Sequence, residues 1–460
     1  MTACTVSFVL VTHGRGELAA SCLAIVAKHT KVAYEVIVVD SASPDGSGEW
    51  LANNLSDATV LRMGSNLGFG AGCELGIQRA KGEFICLLNA DVEVTPGWLE
   101  PLLALLRANP RAAAVAPAMA FPDGRLQEAG SMIGGDGFSR GWGDGERSAE
   151  ALYPRVVDYA SAACLLLRRS AFYAVGGFCA DYHIAYYEDA DLQFTLRERG
   201  WQVWLQPASR VVHVRHGTSS TSTAERLSAI NRKVFRRRWA DDLARRTPAV
   251  GAPKYPHRLH WLRDAAAPYS VLLLAERAPR DGRLHAAISA WRAAEPAAAV
   301  TLLAVDGAGA AALRGSGTEV VSHVDDVESW GKERAGCYDV VVTFGAKAYD
   351  QLALAANRQP TAARVFDVDD LAHEELERRF AECEEPKRRR EIGAQAGMLR
   401  RRGVQALREA DVVICASETE AGWAREIVGS VPLYTANARA YPDVLNSVLV
   451  DCALPPARAT

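Results

Sequence analysis

The stretch "EFICLLNAD", residues 83–91, places five apolar residues in succession, Phe84 to Leu88, and then stops on Asn89, Ala90 and Asp91. A continuous apolar run of this length reads as a strand buried on both faces of an α/β sheet. Runs of the same kind precede it: "VSFVLVT" (6–12), "YEVIVVD" (34–40) and "TVLRM" (59–63). Amphipathic segments separate them: "ELAASCLAIVAKH" (17–29), "GSGEWLANNL" (46–55) and "CELGIQRAKG" (73–82). A further helix is predicted in "PGWLEPLLALLRANP" (96–110), with Pro96 near its start and Pro110 beyond its end. The order βαβαβαβα predicts an α/β layer of nucleotide-binding type.

Outward from this layer the pattern changes. From about residue 112 the pieces shorten, and "IGGDGFSRGWGDGE" (133–146) predicts a mobile loop near a site. Prolines and mixed charge over residues 246–268 predict a linker between a first domain, 1–245, and a second, 269–460. The second domain repeats the alternation through "YSVLLLAE" (269–276), "AVTLLAVD" (299–306), "YDVVVTFG" (338–345), "ARVFDVDD" (363–370) and "DVVICAS" (411–417), which predicts a Rossmann-like fold.

Composition bounds the partners. A chain of 460 residues with a net charge of -3 is too long for one core and carries no global basic field, so nucleic acid is not an expected partner. Ten cysteines without a CxxC pair argue against a disulfide framework or a structural zinc site. The N-terminus shows no basic leader followed by an apolar segment, and no apolar run reaches membrane-spanning length. A cytoplasmic location is therefore expected, with at most peripheral attachment to the inner face of the membrane.

In doubly wound sheets, ligands collect at the carboxyl ends of the strands. Thr12, Asp40, Asn66, Asn89 and Asp91 end or follow successive apolar runs. One such residue is often a helix cap, but the series points to a shared polar ligand. Asp91 suits a hard divalent cation, which takes carboxylate oxygens together with substrate phosphates and neutralises a diphosphate leaving group. His213 and His216, after the run ending "RVV", are candidates to complete such a site. "NLGFGAGCELG" (66–76) invites a dinucleotide reading, but counting from Gly68 the fingerprint's last position is Cys73, and from Gly70 it is Leu75. Finally, "AYYEDADLQF" (185–194) sets Glu188, Asp189 and Asp191 at a helix start, where acids are also favoured by the helix dipole alone.

Taken in order, "SFVLVTHGRGEL", "YEVIVVDSASPDGS", "NLGFGAG", "GEFICLLNADVEVTPGWLEPLL", "VDYASAACLLLRRSAFYAVGGF" and "YYEDADLQFTLRERGWQVWLQPASRVVHVRHGTSS" resemble a family 2 inverting glycosyltransferase of GT-A fold, in the rhamnosyltransferase-like branch. The resemblance implies transfer of a sugar from a UDP-, dTDP- or GDP-linked donor to a hydroxyl of a glycan, glycolipid or natural product, with Mg²⁺ or Mn²⁺. It places Thr12 and Asp40 at the nucleotide base and Arg15 in the adjoining donor turn. Asn66 and Gly68 fall beside base and ribose. Asn89-Ala90-Asp91 matches the DxD motif in an NxD form, with Asp91 on the metal and Asn89 near the ribose. His213, preferred to His216, joins the metal shell. Asp189 matches the general base, Glu188 its neighbour in the acceptor site, and Asp191 keeps a helix-start role. Proton removal from the attacking hydroxyl requires such a base, and a single displacement needs no protein nucleophile. Trp142, in the glycine-rich segment, is a candidate to stack on an acceptor sugar.

The chain departs from the resemblance at Cys73 and Glu74, where relatives commonly carry asparagines. Residues from 269 onward resemble the N-terminal half of a GT-B glycosyltransferase. With the sequence closing at Thr460, the second domain is expected to serve packing, dimerisation or acceptor binding rather than independent transfer. Its basic run "PKRRREIGAQAGMLRRRGVQALRE" (386–409) reads as a solvated helix face, with contact to anionic lipid-linked acceptors or membrane as the sharper alternative. Two other readings of the whole stand behind the transferase: a non-catalytic nucleotide-sugar-binding scaffold and, more distantly, a nicotinamide-dependent oxidoreductase.

Overall fold

The computed structural model describes residues 4–145, 152–214, 221–246, 248, 249, 257–279, 282–368, 372–436, 443, 444 and 447. The chain divides into two compact units, one of residues 1–252 with 262–266 and another of 253–261 with 267–459.

In the first unit the sheet is built from β1 (Val6–Thr12), β2 (Tyr34–Asp40), β3 (Ala58–Arg62), β4 (Phe84–Leu88), β5 (Val92–Val94), β6 (Ala112–Ala120) and β7 (Leu126–Glu128). β8 (Ser131–Ile133) and β9 (Ser139–Gly141) form a separate hairpin. β10 (Arg155–Val156), β11 (Cys164–Arg168) and β12 (Gln202–His213) complete the main sheet. Its order is β10-β12-β6-β11-β4-β1-β2-β3, with β5 on β12 and β7 on β6. All five residues of β4 are buried, as its uninterrupted apolar run requires. β1, β2, β3 and β4 are mutually parallel, whereas β11 runs antiparallel to both β4 and β6, which makes the sheet mixed.

Side-chain alternation divides the core between two faces of the sheet. Val9, Ile37, Val39, Ile85 and Leu87 share one cluster with Cys73 and Ile77 of helix α1 (Phe69–Arg79). Gly72 and Gly76 let this helix lie close, since a Cβ there would stand 2.8 Å and 2.5 Å from methyls of Val11 and Val9. On the other face, Phe8 packs on Trp98 at 6.1 Å between ring centroids. Helix α2 (Glu188–Glu198) buries Leu192 and Leu196 in the main cluster. The long helix α3 (Thr221–Arg238) follows. Fully buried Asp158 accepts hydrogen bonds from Arg197, from Arg246 (2.6 Å) and from the Ile133 N–H (2.9 Å), which pins the glycine-rich segment to the sheet.

The second unit is an all-parallel, Rossmann-like sheet of β13 (Ser270–Arg277), β14 (Ala299–Asp306), β15 (Glu319–Ser322), β16 (Val340–Phe344), β17 (Ala363–Val368), β18 (Val412–Cys415) and β19 (Leu433–Thr435), in the order β15-β14-β13-β16-β17-β18-β19. Val271 and Leu273 fill one face, Leu272 and Leu274 the other. The basic run forms helix α4 (Pro386–Glu409), which buries Ile392, Ala396 and Leu399. On it, Arg402 pairs with Asp350 at 2.7 Å and Arg400 with Glu377 at 3.7 Å. Among the described residues, no helix is long and apolar enough to cross a membrane.

Candidate active site

A cleft of about 960 Å³ opens at the carboxyl ends of β1 and β4. Thr12, Arg15, Asn66, Gly68, Asn89, Asp91, Glu188, Asp189 and His213 all line it, so residues spread over two hundred positions of sequence converge there. Asp40 does not line it. Its buried carboxylate instead receives the Ser43 N–H (3.2 Å) and hydroxyl, and Ser43 in turn holds the Gly14 N–H at 2.6 Å. Trp142 also stands apart: its neighbours Arg140 and Gly141 line the cleft, whereas its ring packs on the core with the Arg263 guanidinium 5.1 Å from the ring centroid. Cys73 is buried, and Glu74 accepts the Phe178 N–H at 3.2 Å. His216 lies outside the described residues.

Strand pairing creates one polar corner. His213 pairs with Val92 across β12 and β5, which sets its Nε2 3.5 Å from Oδ1 of Asp91. Gln127 donates from its amide nitrogen to the His213 carbonyl at 3.3 Å and thereby turns Oε1 to the ring, 2.7 Å from Nδ1. Nδ1 therefore carries the proton in the neutral ring, and Nε2 faces the carboxylate with a lone pair. Oδ1 of Asp91 is buried and has no hydrogen-bond partner among the described residues. Two electron-rich atoms so placed are reconciled by a cation between them, so the corner fits a divalent metal. No group of three or more His, Cys, Asp and Glu side chains is arranged as a metal site among the described residues, so substrate oxygens and water would have to complete the coordination.

A second corner holds the carboxylate pair. The turn before α2 is strained: Ile184, Tyr186 and Tyr187 have φ of 59°, 78° and 73°. Each such residue costs about 1–3 kcal/mol and persists where its surroundings impose it. Gly68 is part of that imposition, because a Cβ there would stand 2.4 Å from the Ile184 carbonyl oxygen, and Phe69 donates its N–H to that oxygen at 2.6 Å. Glu188 is 4% exposed, and its Oε2 has no hydrogen-bond partner among the described residues. Burial, and then the charge of Asp189, push its pKa up to about 8, so it is mostly protonated at neutral pH. Asp189 is half-buried at the cleft wall. Its two oxygens accept the N–H groups of Ala190 (2.8 Å) and Ala162 (3.1 Å), while burial raises its pKa.

Asp191, expected as a helix cap, is turned instead to packed side chains and shows no capping bond among the described residues. It is 1% exposed and accepts from Trp239 Nε1 (2.7 Å), Tyr182 Oη (3.0 Å) and Arg238 Nε (2.9 Å). Phe235 and Trp239 lie four residues apart on or just beyond α3, with Asn231 one step earlier, a spacing visible in the sequence. Glu128, with Oε1 on the Ser161 N–H at 3.0 Å, and Tyr159 also line the cleft; neither carried a sequence signal.

Residues 7–176 match the family model described as "Glycosyl transferase family 2". The N-acetylglucosaminyl-diphospho-decaprenol L-rhamnosyltransferase of Mycobacterium tuberculosis is 29% identical over 252 residues, spanning 49% of this chain and 81% of the relative. The pre-mycofactocin glycosyltransferase of the same organism is 31% identical over 226 residues, spanning 47% of this chain and 44% of the relative. Among solved structures, GalNAc-T7 with UDP, GalNAc and Mn²⁺ aligns over 46% of this chain and 44% of its own, with 19% identity and a TM-score of 0.40.

Proposed function

We propose, from the premise that the first domain is a family 2 glycosyltransferase domain of GT-A fold, distantly related to rhamnosyltransferases and moving a sugar from a nucleotide-diphosphate donor, that the transfer is metal-dependent and inverts the anomeric carbon. The observation that carries this reading is the meeting, in one cleft, of the Asp91–His213 corner with the Glu188–Asp189 pair.

Asp91 and His213 would hold Mg²⁺ or Mn²⁺, which when bound supplies positive charge to the departing diphosphate. Thr12, Arg15, Asn66, Gly68 and Asn89 line the donor end of the cleft, with Asp40 supporting it through Ser43. Asp189 takes the proton of the attacking acceptor hydroxyl. Its carboxylate is oriented by two backbone N–H groups and still has lone pairs for that proton. Glu188, protonated at neutral pH, offers a hydrogen bond to the acceptor or to Asp189. Attack from the side opposite the diphosphate gives inversion without a covalent intermediate. The acceptor proposed is a hydroxyl of a lipid-linked sugar, by analogy with the diphospho-decaprenol named for the mycobacterial relative, met at the inner face of the membrane. The second domain is assigned to acceptor binding, packing or dimerisation, and Trp142 to bracing the glycine-rich segment beside the acceptor.

A panel of UDP-, dTDP- and GDP-sugars with Mn²⁺ or Mg²⁺ tests the reading by release of nucleoside diphosphate. Asp91→Ala is expected to abolish metal-dependent binding, and Asp189→Asn to keep binding and lose transfer. Wild-type protein that binds donor without turnover would return the scaffold reading, and full turnover by Asp189→Asn would remove it as the base.

A further inference from the structure

The turn that delivers Glu188 and Asp189 is held largely by one side chain from elsewhere. Asn231, fully buried on α3, donates from Nδ2 to the carbonyls of Ala185 (2.8 Å), His183 (2.9 Å) and Tyr186 (2.9 Å), and its Oδ1 accepts the His183 N–H (3.0 Å). These contacts fall on the backbone that carries the left-handed Ile184 and Tyr186. A β-branched residue such as Ile184 seldom adopts that conformation, and the turn needs its carbonyls satisfied there to keep it. Only a primary amide places two N–H donors and an acceptor at one point. Phe235, four residues on, packs on Tyr187 at 5.5 Å and on Phe194 at 5.0 Å, so the same helix face braces the turn and the helix after it. The donor loop grips the turn as well, through Gly68 and Phe69.

We propose that Asn231 is a positioning residue for the transfer reaction: by binding the 183–186 backbone it aims Glu188 and Asp189 into the cleft. This rests on the transferase reading. Asn231 does not line the cleft, so its loss separates placement of the base from binding of the donor. An aspartate at this position would set a carboxylate oxygen against three carbonyl oxygens, and a serine would keep at most one donor.

The test compares the full chain with Asn231→Asp and Asn231→Ser in three measurements. Calorimetry follows binding of UDP, dTDP or GDP with Mn²⁺, using whichever binds the wild type. Steady-state kinetics give kcat and KM with the nucleotide sugar that turns over, and hydrogen–deuterium exchange follows the peptide over residues 182–190. Expected are a nucleotide Kd within about 3-fold of wild type, faster exchange confined to the turn, and a kcat lowered about 100-fold, the usual consequence of misplacing a catalytic group by about 1 Å. Variants that loosen the turn yet keep kcat within 3-fold overturn the role, as do variants whose nucleotide binding falls in step with kcat. Wild-type protein that binds nucleotide and transfers nothing overturns the transferase reading instead, an outcome separate from equal turnover by wild type and variants.

Discussion

Glu188→Gln gives the sharpest test of the buried acid. Burial and the neighbouring Asp189 charge raise the Glu188 pKa from 4.5 to about 8. The folded chain therefore keeps this proton over a range in which the unfolded chain has released it. The stability tied to this group is complete below pH 4.5 and is lost as pH rises towards 8. Each pH unit inside the window costs about 1.4 kcal/mol, so from pH 5 to pH 7.5 the wild type loses ~3 kcal/mol from this side chain. Glutamine has nearly the same shape and does not titrate. Urea denaturation of both proteins at pH 5, 6, 7 and 7.5 should show the variant gaining on the wild type by about that amount across the interval. A stability difference that stays constant with pH would refute the assignment of Glu188 as a buried, protonated acid.

Three further outcomes follow from contacts described above. Gln127→Leu removes the partner that orients His213, and Mn²⁺ affinity in the presence of nucleotide, measured by calorimetry, should weaken about 10- to 100-fold. Gly68→Ala would press a methyl against the Ile184 carbonyl at a position with φ of 79°; chemical denaturation should record a loss of about 2 kcal/mol or more. Asp158→Ala leaves Arg197 and Arg246 buried without their shared carboxylate, and a loss of about 3–5 kcal/mol is expected in the same assay.

The parallel half of the first domain was legible because each strand announced itself as an apolar run with a polar residue at its exit. Thr12, Asn89 and Asp91 reached the cleft for that reason. The direction of β11 was not legible, since "CLLLR" is equally apolar read either way and periodicity reports burial rather than polarity of the chain. Residue type and loop composition single out Trp142, but neither shows that Arg263, over a hundred residues later, covers its ring. Asp191 illustrates the same limit. Its place in a first helical turn suggested a cap, but its partners Tyr182, Arg238 and Trp239 come from segments that only tertiary packing brings near. Asn231 could have been noticed as the polar first member of a four-residue spacing with Phe235 and Trp239, although nothing in the sequence said which backbone it would meet.

The reversal of β11 bears on how such a protein can change. Because β11 runs against β4, its first residue, Cys164, lies beside Leu88, and the Asn89 N–H bonds to the Ala163 carbonyl at 2.8 Å. The neighbouring Ala162 supplies an N–H to Asp189. The spacing between the proposed metal corner and the proposed base is thus tied in part to the backbone of residues 89, 162 and 163, alongside the turn that Asn231 holds. Rim side chains that take no part in these bonds can be exchanged without resetting that distance, which under the proposed reaction leaves choice of acceptor open to evolution or engineering.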